Sequence, residues 1–403
     1  MAGEKIIGGL DVGTHTTQVV VGQKGEHDQN IEVIAVFEIP SEGIRKGVVV
    51  DVAAASETMK RAIEEAEKIA GRRIDEFFIS FSGTHIVASQ NVGSVVVSRA
   101  DQEISENDKE RVLNIAQALN ISPNREIIET IPLYYVVDQD QSVKDPMGMK
   151  GKRLELRTLI IHGSTPHIRN WEQSLTEAGV ETVGRVFSNI ASSRAVLSKA
   201  QKELGAAVLD IGGSISGLTV FEEGDIIHTV VLPVGSAHIT NDIAIGLKIN
   251  VDIAEKLKLE YGSLPGKGMI DLSTYGESMK VSKKELSDIA RMRLEELFGL
   301  VNKELRAIGK EKLLPGGVVL VGGGSKLPGI VDLAKAQLKL PVQIGYPRGI
   351  EGITDRADDP AYATAIGLLL VGFDELAKKS YGTKKFNFGM NKGVMRAIKR
   401  LFP

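Results

Sequence analysis

Short apolar runs closed by glycine turns alternate along this chain with stretches whose apolar positions recur at helical spacing. Runs at 6–10, 18–21, 31–39 and 76–82 read as strands. Between the last two, Val52, Met59, Ala62, Ile63, Ala66 and Ile69 recur on one face with charge between them, which predicts a helix over 52–70 closed by Gly71. From 83 to 161 the texture changes: strands at 86–88 and 93–97 precede a helix with Ser105 as N-cap and Asp108 in its first turn. Strands follow at 126–133 and 154–161, with a charged loop over 138–153 between them, so the stretch predicts an inserted small α/β domain. Helices at 167–178 and 191–203 lead to strands at 206–210, 218–221 and 226–233, which open a second lobe. Beyond these the pattern predicts helices at 242–249, 251–261 and 283–308, a strand at 318–321, and helices at 327–338 and 361–376. The openings at Leu10-Asp11 and Leu209-Asp210 lie about 200 residues apart and point to an internal duplication.

The expected organisation is a first lobe core of 1–82 and 162–196, an insert of 83–161, and a second lobe core of 197–232 and 309–377 with a smaller subdomain at 233–308. A polar linker over 378–389 and a terminal amphipathic helix over 390–403 complete the chain. The fold class is α/β, and 403 residues at 42% hydrophobic content suffice for two or three domains. A net charge of −3 argues against nucleic-acid binding through bulk charge. With no cysteine, disulfides and thiolate metal sites are excluded. No apolar run reaches the roughly 18 residues of a spanning helix, and no signal peptide is visible, so the sequence predicts a soluble chain whose membrane contact is peripheral.

Three glycine turns carry the candidate chemistry: Gly9-Leu10-Asp11-Val12-Gly13-Thr14-His15-Thr16, Asp210-Ile211-Gly212-Gly213-Ser214, and Gly322-Gly323-Gly324-Ser325. Glycine allows a backbone to approach a phosphate, turn N–H groups and the Thr14 hydroxyl can bind its oxygens, and His15 can reach it. A strand-end carboxylate such as Asp11 or Asp210 can hold Mg²⁺ through water. Each turn alone is equally a plain hairpin or strand–helix connection; the first two gain weight together, because a β,γ-phosphate clamp needs one from each lobe. The third can lie against a nucleoside. Glu255 and Lys258, three apart on one helix face, can serve ribose and base or form an ordinary ion pair. No Walker lysine pattern, His-Glu-x-x-His or Ser-His-Asp arrangement is present.

In the tail, Val394, Ile398, Leu401 and Phe402 form an apolar stripe flanked by Lys392, Arg396, Lys399 and Arg400. This is the pattern of an interfacial helix drawn to anionic lipid, at about 1 kcal/mol per basic residue. Docking onto the body or a partner is the alternative.

With these residues in view, the chain resembles the FtsA family of actin-like bacterial cell-division proteins. The resemblance rests on 9–14, on Gly43 to Asp51, and on Lys144-Asp145-Pro146-Met147-Gly148-Met149 with Gly151-Lys152-Arg153-Leu154-Glu155. It continues through His238 to Ala244, Leu314 to Leu320, and Tyr362 to Gly367. It implies an actin/Hsp70-type two-lobed fold with 83–161 as the family's own subdomain, binding of ATP and Mg²⁺, and filament self-assembly. It also implies tethering of FtsZ through its C-terminal tail, contact with other division proteins, and residence at the septum on the cytoplasmic face of the inner membrane. Arg293 looks like a basic position of the FtsZ-docking face. The implied nucleotide contacts are Asp11, Gly13, Thr14, His15, Thr16, Asp210, Gly212, Gly213, Ser214, Gly235, Glu255, Lys258, Gly322, Gly323, Gly324 and Ser325. Rival readings are an active ATPase that times filament turnover and a pilus-assembly protein of the PilM type.

The chain departs from the family at the phosphate side. Ser214, Ile215 and Gly217 stand where relatives carry glycine, threonine and aspartate; Ser236-Ala237 replaces Gly-Asp, and Ser188-Asn189 replaces Glu-Pro. These changes predict nucleotide binding with weak or absent hydrolysis.

Overall fold

Two mixed sheets of the same strand order dominate the larger of the molecule's two units. The computed structural model describes residues 4–25, 28–118, 121–140 and 142–380. The larger unit comprises Met1–Thr84 and Arg169–Asp374, and the smaller His85–Ile168 with the segment from Glu375. In the first sheet, Lys5–Val12 pairs antiparallel with Thr16–Lys24, which pairs antiparallel with Ile31–Pro40. On its other side Lys5–Val12 runs parallel to Phe77–Phe81, and that strand parallel to Thr182–Phe187. The second sheet repeats this: Ala206–Ile211 is antiparallel to Ser216–Glu222, itself antiparallel to Asp225–Leu232, while Val318–Val321 and Val342–Ile344 extend it in parallel. The central strands are buried on both faces, which is why they read as unbroken apolar runs rather than alternating ones. Five strands of each sheet thus share one order, in line with the duplication suggested by the two openings, and the first sheet carries a sixth.

The smaller unit is an antiparallel sheet ordered Val87–Val96, Arg153–Ser164, Arg125–Val137, Ser142–Val143, with the helix Glu106–Gln117 packed on the first of these. Gly93 permits that packing, since a Cβ there would stand 2.3 Å from the Val112 carbonyl. At the helix start, Asp108 accepts from the backbone and hydroxyl of both Ser98 and Ser105. Burial alone would raise this carboxyl; the four hydrogen bonds prevail and bring its pKa to about 2.

Several elements differ from the sequence pattern. One strand, Val87–Val96, replaces two, because pairing with Arg153–Ser164 continues through the polar centre of the segment. The helix expected over 191–203 is two, Ser188–Val196 and Lys199–Leu204, broken where Ser198 and Gln201 form a capping box. The helix expected from 242 begins at Ser236. The helix expected from 327 begins at Ile330, after a 3-10 turn at Gly323–Lys326.

Two parts of the stretch that the pattern assigned to the second lobe reach the first sheet, while Pro360 between them stays on the third turn, its carbonyl accepting from Gly322 N–H at 2.9 Å. Ile350–Gly352 pairs in parallel with Ile31–Pro40, and the helix Ala363–Ser380 packs on the first sheet through its residues before Glu375. A Cβ on Gly9 would come within 2.5 Å of the Ala365 carbonyl, and one on Gly372 within 2.5 Å of Ile7. This helix region, 360–377, is apolar and long enough to cross a membrane, but 72% of it is buried, as a core helix requires. It runs to Ser380 and so takes in the first residues read as linker. The rest of the linker and the amphipathic tail, including Val394, Arg396, Ile398, Lys399, Arg400, Leu401 and Phe402, lie outside the described residues.

Candidate functional site

The hairpin that opens each lobe turns in the same way. Gly13 N–H donates to the Thr16 carbonyl at 3.0 Å, and Gly212 N–H to the Ile215 carbonyl at 3.0 Å. A Cβ on Gly13 or Gly212 would come within 2.8 or 2.9 Å of the same carbonyl, so both positions favour glycine for want of space. The two turns face each other across a cavity of about 500 Å³. Thr14 is braced by Gly47, whose N–H donates to the Thr14 hydroxyl at 3.0 Å. The ring of His15 reaches the opposite turn: a Cβ on Gly213 would stand 2.1 Å from its Nδ1.

Two strand-end carboxylates form the floor. Asp11 accepts from the Ser80 hydroxyl at 2.5 Å, and Asp210 from the Thr364 hydroxyl at 3.0 Å. Burial pushes the Asp11 carboxyl up to about 6; the Ser80 hydrogen bond opposes this and the charge of Asp210 adds to it. Burial likewise raises Asp210 against the hydrogen bonds from Thr364 and Ser192. Two half-buried carboxylates that repel each other fit a hydrated cation, which relieves both costs at once. Asp11 and Asp210 are the residues that would hold a hydrated Mg²⁺; among the described residues no three His, Asp or Glu side chains come together.

The third turn closes the other end. Gly322 has φ 78°, and a Cβ there would meet Asp210 Oδ1 at 2.4 Å, so only glycine fits beside the carboxylate. Nothing would obstruct a Cβ on Gly323, whose backbone lies open to the cavity. Opposite, the Lys258 ammonium is buried and donates to Glu255 at 2.6 Å and to the Thr240 hydroxyl at 3.0 Å. Thr240 in turn donates to the same Glu255 oxygen at 2.5 Å. Partial burial would raise Glu255, but these hydrogen bonds outweigh it and hold the carboxyl below its ordinary value. Its second oxygen is left to accept from a hydroxyl pair such as that of a ribose.

Asp11, Gly13, Thr14, His15, Thr16, Asp210, Gly212, Gly213, Glu255, Lys258, Gly322, Gly323 and Gly324 all line this cavity. Three expected contacts do not. Ser325 is buried and donates to the Gly322 carbonyl at 2.7 Å. Gly235 packs beneath the second turn, where a Cβ would meet the Gly213 carbonyl at 2.5 Å. Ser214 is absent from the lining, while its neighbour Ile215 enters it. Gly47, Ser80 and Thr364 support the site without having been assigned roles from sequence. Gly47 and Thr364 fall inside the quoted motifs at 43–51 and 362–367, which was the available signal; Ser80 carried none.

The departures at the phosphate side interlock. Ile215 reaches across to Gly47, where a Cβ would stand 2.9 Å from its Cδ1. Asn189 is buried and donates to the Thr229 hydroxyl at 3.0 Å and the Val230 carbonyl at 3.1 Å, with its oxygen over Gly217. Arg293 lies apart from the cleft on the helix Lys283–Ala307. It makes a two-pronged pair with Asp242 at 2.7 and 2.9 Å and a second pair with Glu296. Its charge is therefore compensated, and the exposed residues around it on these two packed helices are mixed, polar Asn241, Arg291 and Glu296 beside apolar Ile245 and Met292.

Comparison with known proteins matches this chain to a family. A profile described as "Cell division protein FtsA" matches residues 207–367, and one described as "SHS2 domain inserted in FTSA" matches 83–162. The cell division protein FtsA of Pseudomonas aeruginosa is 36% identical over 389 residues, covering 94% of this chain and 91% of its own. Among solved structures, the PilM-PilN type IV pilus biogenesis complex aligns with a TM-score of 0.66 at 19% identity, over 92% of this chain and 99% of the other. MreB5 of Spiroplasma citri bound to ADP aligns with a TM-score of 0.53 at 15% identity, over 94% and 99%. At these identities the structures establish the actin-like fold alone.

Proposed function

Because the chain belongs to the family of cell division protein FtsA, we propose that it binds ATP with Mg²⁺ between its two lobes and works as an actin-like scaffold rather than as a fast ATPase. One observation carries the nucleotide reading: two hairpin turns of identical hydrogen bonding face each other across the cavity, with Asp11 and Asp210 between them. The ADP held by the MreB5 relative of this fold supports it. The phosphate side speaks for slow turnover. Ile215 adds an apolar side chain to the cavity lining beside the second turn, and Asn189 occupies the space over Gly217. Phosphoryl transfer depends on the positioning of phosphate and attacking water, so small displacements are costly.

The scaffold role follows the family: filaments of the chain, anchored at the cytoplasmic face of the inner membrane by the 390–402 helix, would hold FtsZ at the septum and receive other division proteins. The FtsZ tail would dock on the smaller subdomain of the second lobe, with apolar Met292 and Ile245 making contact and Arg293 as a buttress. The PilM-type reading falls away, since its likeness is one of fold at 19% identity.

The test is ATP binding, phosphate release, vesicle sedimentation and capture of an FtsZ C-terminal peptide on one preparation. Tight Mg-ATP binding that Asp210→Ala weakens, with slow release, is expected. Unchanged affinity in that variant overturns the site, and turnover near about 1 s⁻¹ by the unmodified chain overturns the scaffold-over-enzyme reading.

A further inference from the structure

Of the side chains on the two facing turns, only that of His15 carries a titratable ring. Its backbone is pinned, the Ser41 N–H donating to the His15 carbonyl at 2.9 Å. Its ring lies against the Gly213 backbone of the other lobe, in the gap through which a phosphate chain held by both turns must pass. Among the described residues neither ring nitrogen hydrogen-bonds a protein group. The second turn offers backbone amides and the apolar Ile215, with Ser214 outside the cavity.

We propose that His15 reads the terminal phosphate of a nucleoside triphosphate, donating a ring N–H to it from between the two turns and so separating triphosphate from diphosphate. The proposal rests on the nucleotide reading above and adds to it the residue that selects the ligand's charge state. The charged groups acting on the ring are Lys258 and Glu255, both from the helix Val251–Tyr261, while Asp11 and Asp210 lie at the cavity floor. In the free chain the cleft walls lower the His15 pKa, Lys258 lowers it further and Glu255 opposes, so the ring is neutral at neutral pH. A phosphate dianion against the ring favours the imidazolium. Triphosphate binding therefore takes up a proton, and the His15 contribution to affinity grows as pH falls.

Titration calorimetry on the full chain, in two buffers of different ionisation heat, tests this with the Mg complexes of ADP and of the imido analogue of ATP. The same titrations on His15→Gln subtract the nucleotide's own protonation. The parent chain is expected to take up more protons than the variant with the triphosphate and equally few with ADP. Its preference for triphosphate is expected to fall about tenfold in the variant, the loss of one hydrogen bond to a charged group. Equal uptake and equal preference in both chains overturn the proposal while leaving the nucleotide site standing. If neither nucleotide binds the parent chain, the nucleotide reading fails and this one with it. His15 is exposed, so the variant should keep its melting temperature; His15→Asn provides a second check.

Discussion

The amide oxygen of Asn189 stands 2.0 Å from where a Cβ on Gly217 would be, so these two residues, 28 positions apart, cannot be changed independently. The family pattern implied by the resemblance has proline and aspartate at the two places. Asn189 is the second residue of the helix Ser188–Val196, where proline is tolerated because no intrahelical N–H bond is lost there.

Gly217→Asp alone should destabilise the protein by about 1–3 kcal/mol through overpacking against Asn189. Adding Asn189→Pro should recover most of the loss. A double-mutant cycle in denaturant measures the coupling, and strict additivity would show that the two side chains do not compete for one space.

Restoring the phosphate turn without freeing that space should fail. Ser214→Gly, Ile215→Thr and Gly217→Asp together should leave phosphate release slow, whereas the same three with Asn189→Pro should raise it at least about tenfold. Single-turnover release from bound ATP distinguishes the two; equal rates in both variants would show that the position over Gly217 does not limit turnover.

The pKa of about 6 at Asp11 sets a pH window. Its folded value lies above the unfolded 3.8, so its contribution to stability is full below pH 3.8 and is lost as pH rises through about 6. A bound cation reverses the preference by favouring the carboxylate. Mg²⁺ affinity should therefore fall as pH drops through about 6, with proton release on binding. Asp11→Asn should stabilise the metal-free chain at neutral pH by about 1–3 kcal/mol and remove this pH dependence. A Mg²⁺ titration that is flat across the window in the parent chain would contradict the assignment.

Lys258→Met keeps most of the buried stem but removes the hydrogen bonds that Lys258 donates to Glu255 and Thr240, leaving the one from Thr240 to Glu255. Glu255 should then titrate higher, and nucleoside affinity should fall by about tenfold through loss of a fixed acceptor. Adenosine and 2′-deoxyadenosine binding compared in both chains reads the effect. An undiminished preference for the ribose would place the hydroxyls elsewhere.

The proposed membrane attachment rests on the sequence of the tail. Ile398→Glu should release the chain from anionic vesicles with nucleotide binding unchanged, Phe402→Glu should act more weakly, and added salt should loosen the parent chain. Vesicle sedimentation is the readout. A chain ending at Gly389 that sediments as well as the full chain would make the tail a docking element instead.

Local patterns in the sequence determined a good deal. Apolar runs marked the central strands because parallel strands are buried on both faces, and Gly71 closes the first long helix at φ 68° as its lack of a Cβ allows. The paired glycine turns were legible because each is a contiguous string with its own strand before it. What the tertiary structure alone decided depends on residues far apart in the chain. Nothing local says that Thr364 will meet Asp210, that Ser80 will meet Asp11, or that Ile350–Gly352 will leave the second lobe to pair with Ile31–Pro40. Side-chain direction was equally hidden: Ser325 turns inward to the Gly322 carbonyl while Ile215 turns into the cleft. Each of these outcomes is set by which partners remain within hydrogen-bond or van der Waals reach once both sheets are assembled, and spacing along the chain carries no record of that distance.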